Sequence, residues 1–513
     1  MEFKYGEDRL TIGLAMQLAR RDMQGVIGKG AREAIHKSWQ RALEIAGGTE
    51  AVYGVNTGFG PLCSTRVSSN QVIELQYNLL RSHSVGVGAP IPDIVVRLML
   101  ITKIHSLARG YSGIQPATLE RMMWHLDHNI LPIVPEKGSV GASGDLAPLA
   151  HLCLPLIGDG YVMDKGVKRP AGEVLSEHGL KPLSLGPKEG LALINGTQFI
   201  LAFAVAFADR FSSLLDIADI AGALSLEGLE GSSKPFDNAL HELRPYAGSR
   251  LVASRLRKLL EGSEILKSHE HCERVQDPYS LRCMPAVHGA SRNAYLHLDQ
   301  MVEVELNSVT DNPILLPDGR SVSGGNFHGQ PLAIPLDYAT IAAAELGNIS
   351  ERRSYLMLEG KYGLPSMLIK EAGVNSGFMI PQYTQAALVT ENRAMCFPTS
   401  ADSVPTGMGQ EDHVSMGSIS ARKAYEVAGN VYHILSIEIM YAAQAMDFRR
   451  PRTSSPILET VHKWIRSRVE HVERDRIFSG DMEVLHDSMI SGEFLQMVAR
   501  AAEELELDIN SEL

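Results

Sequence analysis

The chain has 513 residues, a formal charge of −12 and 44% hydrophobic residues. That is enough apolar material for a large core and, by length, for two or more domains. The acidic balance argues against nucleic acid or an anionic membrane as a main partner, and no stretch offers the ~18 uninterrupted apolar residues of a membrane span. The first eight residues carry no apolar signal region. The five cysteines (Cys63, Cys153, Cys272, Cys283, Cys396) are odd in number and scattered without a CxxC pair. They read as reduced thiols of a cytoplasmic protein.

In chain order, residues 11–45 read as two short helices. The loop Val52-Tyr53-Gly54-Val55-Asn56-Thr57-Gly58-Phe59-Gly60 follows, carrying an aromatic hydroxyl between glycines. On its own, Tyr53 reads as a half-buried packing residue. A helix over 72–85 holds Ser82-His83. Then Gly138-Ser139-Val140-Gly141-Ala142-Ser143-Gly144-Asp145-Leu146-Ala147-Pro148-Leu149-Ala150-His151 sets three glycines at a spacing of three around a small triplet. Glycine permits positive φ and close backbone approach, so this loop can enter contacts that other residues block. The plain reading is a cap or anion-cradling loop, with Asp145 starting a helix over 146–157.

Residues 158–189 turn polar and glycine-rich, and Asp164-Lys165-Gly166 predicts a hairpin turn. Asn195 precedes nine apolar residues, 199–207, which predict a helix buried on every side; its plain role there is an N-cap. Val275-Gln276-Asp277-Pro278-Tyr279-Ser280-Leu281-Arg282-Cys283 is dense in polar groups. Arg282 reads either as half of a salt bridge or as a fork awaiting a carboxylate. A helix ends near Leu306, Asp318-Gly319 predicts a hairpin turn, and Phe327 reads as core packing. Tyr338, Ala342, Leu346 and Ile349 predict a helix from Leu336 that runs into Glu351-Arg352-Arg353. Gly409-Gln410-Glu411-Asp412-His413-Val414 reads by itself as a solvated face. Val427, Val431, Ile434, Ile437, Tyr441 and Ala445 predict a helix over 425–446. An amphipathic tail follows Ser479, and no repeats occur.

The glycine loop resembles the signature of the histidine and aromatic amino-acid ammonia-lyases. In that family the Ala-Ser-Gly triplet cyclises by itself to methylidene-imidazolone (MIO). The Gly144 amide nitrogen would attack the Ala142 carbonyl, and loss of water from the ring and from Ser143 would leave an electrophilic methylidene. The other strings are similar to the family's in the same order, from Tyr53 to about Arg449. The resemblance implies roles for Tyr53 as base or acid and for Tyr279 as a catalytic-site hydroxyl. It makes Asn195 a neighbour of MIO, Gln276 a polar substrate contact, Arg282 the carboxylate clamp and Phe327 an aromatic beside the ring. Ser82-His83 and Glu411 match the histidine type, which has these residues facing an imidazole.

The resemblance implies an all-α fold, a long-helix bundle like the fumarase/aspartase superfamily, with a mixed, loop-rich N-terminal part carrying the MIO loop. Domains are expected at 1–195 and 196–513. The implied reaction is elimination of ammonia from L-histidine to trans-urocanate, with MIO and no external cofactor or metal, in a homotetramer with shared active sites. Three rivals stay open. One is a lyase or 2,3-aminomutase acting on tyrosine or another aromatic amino acid, for which Asn326-Phe327-His328-Gly329-Gln330 is the nearer string. Another is a metal-dependent hydrolase using His269-Glu270-His271-Cys272 or Glu411-Asp412-His413, neither of which has a standard zinc spacing. The last is a non-catalytic helical scaffold.

Overall fold

The computed structural model describes residues 2–48, 52–58, 60, 67–68, 71–270 and 274–509. Phe59, Cys63, His271 and Cys272 lie outside the described residues. Helices dominate, and the strands are short pairs or triplets. No helix among the described residues is long and apolar enough to cross a membrane.

Two compact units emerge. The first comprises Met1–Asp209, Leu298–Asp337 and Pro398–Arg422; the second comprises Arg210–His297, Tyr338–Phe397 and Lys423–Leu513. Each unit is thus assembled from three discontinuous segments, whereas the expected division was one cut after residue 195. The physical reason is helix length. Gln198–Gly228, Met284–Leu306, Gln330–Leu358 and Gly417–Asp447 each have residues in both units.

In the first unit, the helix Ile12–Arg20 starts where Thr11 Oγ1 accepts from the Leu14 amide at 3.3 Å, an N-cap bond. It ends at Arg21, whose φ of +70° closes the last turn. The strand Gln24–Ile27 then pairs in parallel with Glu2–Tyr5, a pairing the sequence did not announce. Helix Asp93–Ala108 is buried without interruption from Leu98 to Ala108. The helix expected over 146–157 is α-helical only over Leu146–Cys153, and Leu154–Ile157 tightens to a 3₁₀ turn. Pro155 has no N–H for an α bond, which accounts for the change. Tyr161–Asp164 and Val167–Pro170 form the expected hairpin, with Lys165 and Gly166 both at positive φ (49° and 79°), as a two-residue primed turn requires.

The second unit holds the buried bundle. Val427, Val431, Ile434, Ile437, Tyr441 and Ala445 are all fully buried, as their spacing predicts. The helix expected from Leu336 instead starts at Gln330, with Pro335 in its first turns. Leu346 and Ile349 are buried, but Tyr338 is half exposed, as are Ile334, Ile341 and Tyr355. The apolar pattern of this helix therefore serves two faces, one of them uncovered in the single chain.

Candidate active site

The triplet sits where the backbone is forced. Ser143 has φ +49° and Gly144 φ +78°, so two successive residues are left-handed and only one is a glycine. A Cβ on Gly144 would lie 2.0 Å from the Gly196 carbonyl oxygen, and one on Gly141 would lie 2.2 Å from Ser415 Oγ. Neither position admits a side chain. The Asp145 amide donates to Gly196 O at 2.8 Å, and Asn195 Nδ2 reaches the Ser143 carbonyl at 3.4 Å. On the other flank, Met416 N donates to Val140 O (3.0 Å) and Ser418 Oγ to Ser139 O (2.6 Å).

Asp145 corrects the sequence reading. It precedes the Leu146–Cys153 helix but makes no cap bond to it. Its carboxylate instead accepts from the amides of Phe199 (3.0 Å) and Ile200 (2.9 Å), at the start of the Gln198–Gly228 helix, and from Ser139 Oγ (3.1 Å). It caps the other helix and ties the triplet loop to it. Burial pushes the Asp145 carboxyl up to about 7, against the pull of those three donors. Asn195 is no N-cap either: it ends the short helix Glu189–Ile194, and its Oδ1 is buried without a hydrogen-bond partner among the described residues.

Ala142, Ser143 and Gly144 open onto a cavity of about 550 Å³ lined wholly by first-unit residues. Tyr53, Ser82, His83 and Glu411 line it too, with Leu75, Leu79, Leu191 and Ile194 forming apolar walls. Four segments distant in sequence therefore converge on one space. Tyr53 OH accepts from the Gly60 amide at 3.4 Å. His83, in the last turn of the helix Val72–His83, has Nδ1 3.0 Å from Ser82 Oγ. Burial lowers the His83 pKa, so the ring is neutral at neutral pH and offers one donor and one acceptor.

Glu411 does not lie on a solvated helix face. Its backbone carbonyl accepts from Thr406 N at 2.8 Å, closing a tight loop. The carboxylate lies against Gly407, where a Cβ would come within 1.5 Å of Oε2. Among the described lining residues none is Lys or Arg.

Gln276 and Arg282 line a different cavity, of about 720 Å³, formed only by second-unit residues. Arg282 spends its Nε on the Asp277 carbonyl at 3.0 Å, and its guanidinium lies over the Tyr279 ring at 4.5 Å. The nearby carboxylate, Asp277, is taken by Arg274 (3.0 Å) and the Ser232 amide (2.6 Å). Arg282 thus has no acidic partner among the described residues, which leaves its fork unused. Tyr279 is 71% exposed. Phe327 is half-buried but does not line the triplet cavity; its neighbour His328 stacks on His413 at 5.7 Å.

The sequence reading missed Lys103. This lone lysine of the Asp93–Ala108 helix is fully buried, and Nζ donates to the Asn195 carbonyl at 2.6 Å and to Gln198 Oε1 at 3.5 Å. Burial lowers it to about 8, with Asp311 opposing. The available signal was one cation inside the run Leu98–Ala108, where an unpaired charge is costly.

The fold is that of an aromatic amino-acid lyase. The chain matches the aromatic amino acid lyase family over residues 10–467 and belongs to it. It is 45% identical to the histidine ammonia-lyase of Myxococcus xanthus, over 96% of this chain and 98% of that protein. The crystal structure of histidine ammonia-lyase from Trypanosoma cruzi superposes with a TM-score of 0.90 at 39% identity, covering 98% of this chain and 96% of the other. Tyrosine aminomutase from Streptomyces globisporus gives 0.92 at 36% identity, with 98% and 99% covered.

Proposed function

We propose that this chain eliminates ammonia from L-histidine to give trans-urocanate, using MIO formed from Ala142, Ser143 and Gly144. The observation that carries this reading is the single cavity into which the triplet, Tyr53, His83 and Glu411 all open. Relatives named histidine ammonia-lyase, aligned over nearly their whole length, support it.

The residues present fit the group. Ser143 and Gly144 already hold consecutive left-handed conformations, Gly144 has no room for a Cβ, and Asn195 leaves a buried oxygen unused beside the loop. Held by Ala142, Ser143 and Gly144, MIO would supply an electrophilic carbon that activates the substrate for loss of ammonia, through its amino group or its imidazole ring. Everything else falls to side chains. Tyr53 removes the β-proton, a contribution of ~10²–10⁴-fold for general-base catalysis. His83 and Glu411 hold the imidazole, whose two nitrogens match a donor–acceptor ring and a carboxylate. The Asn195 carboxamide and loop amides meet negative charge that develops at the triplet.

The cavity wall offers the substrate carboxylate no guanidinium or ammonium among its described residues. In the homotetramer implied by the family resemblance, another copy supplies Arg282 for the carboxylate, with Gln276 and Tyr279 beside it and Phe327 against the ring. The uncovered apolar face of Ile334, Tyr338, Ile341 and Tyr355 supports such an assembly. A cytoplasmic location belongs to the same proposal, supported by the acidic charge and the scattered cysteines.

An ammonia-release screen over the twenty amino acids, read at the wavelengths of urocanate and coumarate, tests the substrate. L-Histidine is expected to dominate. Coumarate from tyrosine would favour the second reading, for which Asn326–Gln330 is the supporting string. Release from no amino acid would favour a scaffold. Intact mass of active protein showing the triplet still hydrated would overturn the electrophile.

A further inference from the structure

A second cavity in the first unit, of about 420 Å³, lies away from every residue given a role above. Its walls are Leu18, Ile101, Met123 and Leu126, and its polar groups are Tyr5, Arg21, Arg97, Asp22 and Asp127. Three observations mark it as built for a ligand.

Arg97 is half-buried, yet its partner is a neutral carboxamide: Asn129 Oδ1 accepts from Nε at 3.2 Å and from Nη2 at 2.6 Å. Arg21 donates to the Asp127 carbonyl at 3.1 Å. Neither guanidinium forms an ion pair among the described residues, so donors remain on both; Arg21 is exposed, while half-buried Arg97 has only the more distant Asp93 carboxylate acting on it.

Tyr5 is 2% exposed and lines the cavity, its hydroxyl set against Gly25 and near enough to Asp127 to feel its charge.

Arg21 also occupies the left-handed cap position after Ile12–Arg20, at φ +70°, where glycine is the low-strain choice. An arginine there accepts backbone strain and sets a guanidinium at the mouth of the cavity.

We propose that this cavity binds a free α-amino acid. Arg97, Arg21 and the Tyr5 hydroxyl take the carboxylate. Asp127 and Asp22 take the ammonium, and the apolar walls receive the side chain. The two guanidinium and two carboxylate groups balance in charge, which suits a dipolar ligand better than a bare anion such as phosphate.

The test is calorimetry on the full-length protein carrying Ser143→Ala, which suppresses turnover heat and leaves this cavity untouched. Titrants are L-amino acids, an α,β-unsaturated carboxylate lacking the amine, and inorganic phosphate. Binding of an amino acid, weakened about tenfold or more by Arg97→Met and by Tyr5→Phe, is expected. The exposed Arg21→Gln variant gives the same readout should Arg97→Met fold poorly. The proposal is overturned if no amino acid binds, if phosphate alone binds, if the amine-free acid binds as tightly as the amino acids, or if these variants leave every isotherm unchanged.

Discussion

Each unit buries a polar cluster, and the two are composed on opposite terms. In the second unit Asp219 accepts from His288 Nδ1 (2.8 Å), Arg292 (2.6 Å) and Arg255 (3.0 Å), while Glu438 takes Arg353 at both oxygens and Ser225 at 2.6 Å. Burial alone would raise the Asp219 carboxyl; Arg292, His288 and Arg255 overrule it and hold it far below the usual range. In the first unit Lys188 and Asp311 form a buried pair at 2.5 Å, but the groups nearer the triplet are less balanced. Lys103 faces carbonyl oxygens and no carboxylate within bonding distance; Asp145 faces amides and a hydroxyl but no cation; an oxygen of Asn195 faces nothing described. The first arrangement cements helices. The second leaves charge and backbone strain unbalanced, the condition expected of the proposed active site.

The comparison can be broken by substitution. The largest effect is expected from Ser143→Ala, which should cut lyase turnover by ~10³-fold or more while circular dichroism stays native and the near-ultraviolet band of the conjugated ring disappears. Undiminished turnover would remove the triplet from the chemistry. Arg353→Met should behave the opposite way. It strands Glu438 in the core and costs ~3–5 kcal/mol, lowering Tm, with turnover per folded molecule preserved. A drop in kcat without a drop in stability would mean that the second-unit cluster also serves catalysis.

Glu411→Gln should lower kcat/KM for histidine ~10–100-fold, the scale of a lost charged hydrogen bond, and affect an uncharged aromatic amino acid less. Equal losses on both substrates would count against an imidazole contact. The smallest effect is a matter of pH. Lys103 titrates near 8 when folded and near the ordinary 10.5 when unfolded, so between those values the unfolded chain holds the extra proton. Stability contributed by this residue therefore rises with pH across that window and is lost as pH falls through 8. Denaturant titrations at pH 8 and 10 should show the rise in the parent and a flatter response in Lys103→Met.

Much of the site was legible because its chemistry is local. The strings around Tyr53, Ser82-His83, the triplet and Glu411 are contiguous, so they could be matched to the family's strings; by themselves they read as packing, a helix end, a cap loop and a solvated face. The existence of helices was legible too, from Thr11 onward and from the spacing of Val427 to Ala445, although the latter helix starts at Gly417, eight residues before its expected start. What stayed hidden depends on which residues meet across the fold. Asp145 has the sequence position of a cap for its own helix, yet spends its carboxylate on another. The helix over Asp93–Ala108 is apolar on all sides, so its one lysine looked like an interruption. The discontinuous make-up of the two compact units was hidden for a related reason, since long helices contribute to both and no linker marks a border.

Asp145 has one more consequence, for anyone wishing to move this chemistry elsewhere. Because its carboxylate anchors the amides of Phe199 and Ile200, the tripeptide is not a detachable cassette. A transplanted loop would arrive without its mooring. A portable unit would need the loop, the tip of the Gln198–Gly228 helix with Gly196 before it, and the Met416–Ser418 segment that ties the other flank.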